Sequence, residues 1–270
     1  MNTDIRVAAV MCRSLVGHAE ENLKRMAAWT AAAAKEKADI VCFPELCITG
    51  YHVREEMAEA AIRLDAPEVA SVVRMAGEQD VAIIAGLAEK GMDGRTYATA
   101  FVCDGSGIRG TYRKTHLGPP EKEIFAAADA VGPLFDVKGL TFGIQLCYDA
   151  HFPDLATHMT ARGADAIFMP HASPGASATD KKTSWMRHLP ARAYDNSIFV
   201  IAVNPAGDNG LGLYFPGCAL VLSPEGKRIK SHCGEKEAMI VADLTRDMID
   251  GVRNHRMRYF FPNRRPDLYK

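Results

Sequence analysis

No run of apolar residues in this 270-residue chain is long enough to cross a bilayer. The N-terminus shows no basic-then-apolar signal pattern, so a cytoplasmic protein with no membrane partner is expected. An excess of one charge is missing too. Lys and Arg number 32 against 33 Asp and Glu, which offers nucleic acid no global attraction. Seven cysteines are an odd number, with neither CxxC nor a paired zinc spacing, so reduced thiols are expected rather than a disulfide frame. The nine histidines form no HExxH and no close ligand pairs; His116, His151 and His158 carry no metal motif. The glycine-rich stretch 207–212 does not open a helix in a βαβ unit and reads as a long turn, not a phosphate cradle. No metal and no cofactor are expected.

What is present is an alternation of strands and helices. Residues 4–10, 39–43, 81–85, 96–103 and 108–113 read as strands, and 20–37 and 67–79 as helices. Asp104-Gly-Ser-Gly107 is a hairpin signal. The second half follows the same plan: strands over 142–147, 166–169, 198–204, 218–223 and 227–231, helices over 154–162 and 183–196, and a hairpin at Pro224-Glu-Gly226. ADIVCFP at 38–44 is similar to ADAIFMP at 164–170, an offset of 126 (164 − 38). The expected fold is α/β, a four-layer α-β-β-α sandwich of two sheets with pseudo-twofold internal symmetry. No Ser- or Pro-rich linker divides the halves, so a single domain over 1–270 is expected.

Three expected strand ends carry chemistry: Glu45 after Phe43-Pro44, Lys114 at the close of GTYRK, and Cys147 at the end of its own strand. In open α/β sheets the carboxyl ends of strands are where ligands sit. A lone Glu there is ordinarily a solvated loop charge, a lone Lys an edge residue, and a lone Cys a small core hydrophobe. Together they can supply a base, a fixed cation for a developing oxyanion, and a sulfur nucleophile.

Their contexts, FPELCITGY at 43–51, YRKTHL at 112–117 and LCYDAHFPD at 146–154, resemble the nitrilase (carbon–nitrogen hydrolase) superfamily in content, order and spacing. The resemblance spans nearly the whole chain. It implies Cys147 as nucleophile, Glu45 as general base and then acid, Lys114 as oxyanion stabiliser, and the Tyr148 amide as a second oxyanion donor. It also implies a second glutamate shortly after the lysine. Glu121 and Glu123 both qualify; Glu121 is preferred because an apolar stretch and Asp129 follow it.

The resemblance further implies a cofactor-free hydrolase that cleaves a non-peptide C–N bond of a small molecule through a cysteine thioester. Nitrile-cleaving members usually have Trp-Glu after the cysteine, so Tyr148-Asp149 favours an amide or N-carbamoyl substrate. Tyr51, Tyr148, His171 and Ser173 are the expected substrate-binding residues, since the strand before His171 mirrors the one before Glu45. Nitrile hydrolysis and N-acyl transfer by the same thioester chemistry are the alternatives. A catalytically silent scaffold is a third, at odds with an intact Glu, Lys and Cys. The arm 253–270 mixes five arginines with Tyr259, Phe260 and Phe261, interrupted by Pro262 and Pro266. It is expected at the subunit interface of a homodimer or larger assembly.

Overall fold

The computed structural model describes residues 1, 3–175 and 177–268. In chain order its strands are β1 (Ile5–Met11), β2 (Ile40–Cys42), β3 (Ala82–Lys90), β4 (Thr96–Asp104), β5 (Gly107–Arg113), β6 (Phe135–Val137), β7 (Leu140–Ile144), β8 (Ala166–Pro170), β9 (Phe199–Asn204), β10 (Gly207–Asp208), β11 (Tyr214–Phe215), β12 (Gly217–Leu222), β13 (Arg228–Gly234) and β14 (Ala238–Leu244). The helices are α1 (Ala19–Lys35), α2 (Glu56–Ala60), α3 (Pro67–Gln79), α4 (Pro153–Ala161), α5 (Ala178–Trp185), α6 (Leu189–Asn196) and α7 (Arg246–Arg253).

Two six-stranded sheets, ordered β14-β1-β2-β3-β4-β5 and β13-β12-β9-β8-β7-β6, pack face to face between helices. Each has three parallel strands at its centre, β1–β2–β3 and β7–β8–β9. Each then runs into two antiparallel strands, β4–β5 and β12–β13. Each closes on the far side with an antiparallel edge, β14 or β6. The offset of 126 maps β2 onto β8, so the expected pseudo-twofold sandwich is the fold.

Alternation along β1 shows how the layers are specified. Val7, Ala9 and Met11 point into the core between the sheets, while Ala8 and Val10 point beneath α1 and α3. Helix α1 answers with Asn22, Met26, Thr30 and Ala33, a buried stripe at helical spacing. Asn22 also ties two loops: its amide accepts from the Leu15 N–H (2.8 Å) and donates to the Leu15 (2.7 Å) and Ile48 (2.9 Å) carbonyls.

Three expectations need correction. The helix expected over 183–196 is two helices, α5 and α6. Pro190 lies in the first turn of α6 and lacks the N–H that a continuous helix would need there. The strand expected to reach Cys147 stops at Ile144. The thiols are not all reduced: Cys218 and Cys233 face each other across the β12–β13 pair and form a disulfide. The other five remain free. Residues 254–268 of the expected arm follow α7 as largely exposed chain, with Phe260 against Tyr194 (5.5 Å between rings). Tyr269 and Lys270 lie outside the described residues. Among the described residues no helix is long and apolar enough to cross a membrane.

Candidate active site

Pro44 ends the run of β2, and the following loop winds back over the sheet, with Ile48 N–H donating to the Gly86 carbonyl (3.0 Å) and Gly50 N–H to the Leu46 carbonyl (2.8 Å). Gly50 has φ of 78°, and a Cβ there would lie 2.6 Å from the Leu15–Val16 backbone, so only glycine fits. This loop places Glu45 inside the molecule, 1 % exposed. Glu45 N–H donates to the His171 carbonyl (3.2 Å), and its Oε2 accepts from the Ala172 N–H (3.1 Å). The ends of the two mirrored central strands thus meet.

Lys114 follows β5 and is fully buried. Its Nζ donates to Glu45 Oε1 (2.9 Å) and Glu121 Oε1 (2.7 Å). Glu121 sits in a 3-10 turn over Pro119–Glu123, accepts from the Gly118 N–H at 2.6 Å, and receives the Tyr51 hydroxyl at 3.0 Å. Glu121 is buried and Glu123 exposed, which separates the two candidates.

Cys147 starts a second 3-10 turn, Cys147–His151, with φ of 43°. A left-handed non-glycine residue is strained and must be held by its surroundings. Asp149 holds it. This buried carboxylate accepts from the Leu146 N–H (2.9 Å), the Tyr112 (2.8 Å) and Thr115 (2.8 Å) hydroxyls and the His116 N–H (2.8 Å). It therefore fastens the Cys147 turn to the segment that carries Lys114. Arg192 holds the far end of the turn, donating to the Ala150 (3.1 Å) and His151 (3.0 Å) carbonyls.

The remaining expected residues divide. Tyr51 reaches the site through Glu121. Tyr148 packs edge-on against Phe152 and lines a cleft of about 550 Å³ with His116, Leu117 and Phe125. His171 contributes its carbonyl, while its ring lies against Trp185 and its Nδ1 bonds the Met169 carbonyl (2.7 Å). Ser173 is fixed by its N–H on Asn204 Oδ1 (2.8 Å), and its hydroxyl accepts from Lys181. Sequence reasoning missed Lys181 and the tying function of Asp149.

Electrostatics follow from burial. Burial pushes the Glu45 carboxyl up and Glu121 adds to it, while Lys114 opposes; the balance is about 7. The Cys147 thiol is pushed up to about 12 by burial, with Lys114 and Lys181 opposing and both glutamates adding. Burial disfavours the Lys114 ammonium, but Glu45, Cys147 and Glu121 outweigh it and hold the proton more tightly than usual. The site can therefore keep a neutral thiol beside a carboxylate that titrates near neutrality and a permanent cation.

The carbon–nitrogen hydrolase family model matches residues 6–254. A nitrilase from Pyrococcus abyssi is 29 % identical over 98 % of this chain and 99 % of its own length. An (R)-stereoselective amidase from Pseudomonas sp. is 27 % identical over 92 % of this chain and 88 % of its own. Structures of the amidase from Nesterenkonia sp. AN1 share the fold. One, a cysteine-to-alanine mutant in complex with butyramide, has a TM-score of 0.85 at 25 % identity, covering 99 % of this chain and 96 % of that one. Another shows covalent addition of the acetamide moiety of fluoroacetamide at the active site cysteine. With the family model matched over most of its length and the sandwich matched in solved relatives, the chain belongs to the carbon–nitrogen hydrolase family.

Proposed function

We propose that this protein is a cysteine-dependent amidohydrolase cleaving an amide or N-carbamoyl C–N bond of a small molecule through a thioester on Cys147. The observation that carries the reading is the Lys114 ammonium, buried between Glu45 (2.9 Å) and Glu121 (2.7 Å) and electrostatically coupled to the Cys147 sulfur. The Nesterenkonia amidase, with its covalently modified active site cysteine, supports the same chemistry at Cys147.

A thiol pushed up to about 12 stays protonated at rest, so its proton must leave as the sulfur attacks. Glu45, balanced at about 7, is ionised often enough at neutral pH to take it. Sγ bonds to the carbonyl carbon, and the carbonyl oxygen takes up the electron pair. That oxyanion accepts from the Tyr148 N–H and Lys114 Nζ. Glu45 then gives its proton to the nitrogen, the C–N bond breaks, and ammonia or an amine leaves. Water replaces it; Glu45 removes a proton, the oxygen adds to the thioester, and the sulfur departs with that proton. Glu121 keeps Lys114 aligned, and Tyr51, Tyr148, His171 and Ser173 border the substrate. An amide is favoured over a nitrile by Tyr148-Asp149 and by the amidases among the relatives. Self-association as a homodimer or larger, with the 253–270 arm at the interface, belongs to the same proposal, supported by the exposed Tyr194–Phe260 pair.

The test is ammonia release over short aliphatic amides, ω-amides, N-carbamoyl amines and nitriles. Cys147→Ala and Glu45→Gln are expected to lose about a thousandfold or more, Cys147→Ala melting as the wild type does and Glu45→Gln staying folded with a lower Tm because it removes one charge of a buried pair. Full turnover by either variant would end the scheme, and ammonia from nitriles alone would replace the substrate class.

A further inference from the structure

The chemistry above gives Lys181 no task. Its side chain is almost entirely enclosed, 9 % exposed, and Nζ donates to Ser173 Oγ. Ser173 adjoins Ala172, whose N–H holds Glu45 Oε2 at 3.1 Å. The ammonium is thus anchored on the strip of backbone that also fixes the proposed base. Lys114 has two carboxylates at hydrogen-bond distance. Among the described residues Lys181 forms no ion pair and spends one of its three N–H donors, on a neutral hydroxyl. Burial weakens its hold on the proton, and the group that opposes this is the Cys147 sulfur, so the charge lies within electrostatic reach of the reacting atom. A largely desolvated ammonium on the backbone strip that holds Glu45, with donors to spare and no counter-charge among the described residues, can accept an anion brought in from outside.

We propose that Lys181, with Ser173, is the subsite for a carboxylate at the far end of the substrate, so that the preferred substrates are small amides or N-carbamoyl compounds bearing a carboxylate. The inference rests on the amidohydrolase reading and narrows it. Lys114 cannot play this part, because Glu45 and Glu121 already neutralise it. A substrate ending in an ammonium would meet the Lys181 charge and be disfavoured.

Succinamate and butyramide have the same chain length and differ in a carboxylate against a methyl group. In the wild type kcat/KM should favour succinamate. In Lys181→Met the succinamate-to-butyramide ratio should fall by about 30-fold, the scale of a charge-assisted hydrogen bond, chiefly through KM. Lys181→Arg should keep most of the ratio, and Lys181→Gln is the second neutral variant if the first fails to fold. An unchanged ratio, equal loss on both amides, or a wild type that prefers butyramide overturns the proposal. A second measurement needs no turnover: the protection that succinate and butyrate, the acids matching the two amides, give Cys147 against alkylation by iodoacetamide, followed by mass spectrometry. Succinate should protect at lower concentration than butyrate in the wild type, and the advantage should drop about tenfold in Lys181→Met. If that advantage drops although neither amide is hydrolysed, the amidohydrolase reading fails and the anion subsite stands. If amides are hydrolysed while both ratios stay unchanged, the subsite fails alone.

Discussion

On the proposed mechanism the charge on Glu45 sets the pH response. Its carboxyl is carried from the ordinary range to about 7 by burial and by Glu121, against Lys114. The sign follows from the role: Glu45 accepts a proton only when ionised, so kcat/KM falls as pH drops through about 7, tenfold per unit below it. Glu121→Gln removes a negative neighbour and leaves Lys114 with one carboxylate, and both changes favour ionised Glu45. The acid limb should therefore move to lower pH even as the rate falls, which a pH profile on a neutral amide would read. A limb that stays in place would mean another group sets it. Glu45, Lys114 and Cys147 could be picked out in the sequence because each stands at an expected strand end within a recognisable motif, although the strand before Lys114, GIRGTYR, is mostly polar. The choice of Glu121 over Glu123 needed burial to decide it. Lys181 was not legible: Asp180-Lys-Lys182 has the composition of a solvated helix face, and only the packing of α5 against β12 and β13 brings one of those lysines inside.

The turn that carries Cys147 is the element on which the site depends. Sequence alone extends a strand to the cysteine because Phe142 to Leu146 is apolar apart from Gly143 and Gln145. It carries no sign that the chain leaves the sheet at Ile144 and turns left-handed at Cys147. That geometry is a tertiary effect, imposed by hydrogen bonds that converge on Asp149 from Tyr112, Thr115 and His116, more than thirty residues earlier. Asp149→Ala would leave two hydroxyls and two backbone N–H groups without their buried acceptor. The expected cost is about 3 kcal/mol or more, since each buried donor left unpaired costs about 1–3 kcal/mol. Urea unfolding would measure the cost, and alkylation of Cys147 should slow because the sulfur loses its fixed aim. Wild-type stability in this variant would mean the turn holds its shape without the carboxylate. Packing in α1 obeys simpler rules: Met26→Ala should cost about 2–5 kcal/mol, as for any buried methionine beneath a helix.

Across the whole molecule the repeat was legible where it is buried and hidden where it is not. The similar segments 38–44 and 164–170 became the central strands β2 and β8, but the edge strands β6 and β14 were not anticipated, because short edges carry little periodicity. Nor was the Cys218–Cys233 pair. Its fifteen-residue spacing has no motif, and it follows from the register of a hairpin that had been read only as far as residue 231. Mirrored positions share a backbone and diverge in their partners. Asp39 and Asp165 both open a central strand: each N–H donates to the preceding parallel strand, and each carbonyl accepts from the next. The Asp39 side chain meets Lys138, whose own side chain is 56 % exposed, and accepts from the Arg6 N–H (2.8 Å). The Asp165 side chain is 5 % exposed and pairs with Arg253 of α7 (2.5 Å), linking the second half to the helix that follows the first sheet's edge strand. Exposed pairs contribute about 0–1 kcal/mol, whereas removing one member of a buried pair costs several. Asp39→Asn keeps an acceptor for Arg6 and should cost less than about 1 kcal/mol. Asp165→Asn should cost about 3 kcal/mol, the lower end of the buried range, because Arg253 is partly exposed although the Met1 ammonium that also pairs with Asp165 (2.6 Å) is buried. Parallel urea titrations of the two variants would decide the matter; equal losses would mean that the symmetry of the fold extends to its energetics and that α7 is not fastened by this ion pair.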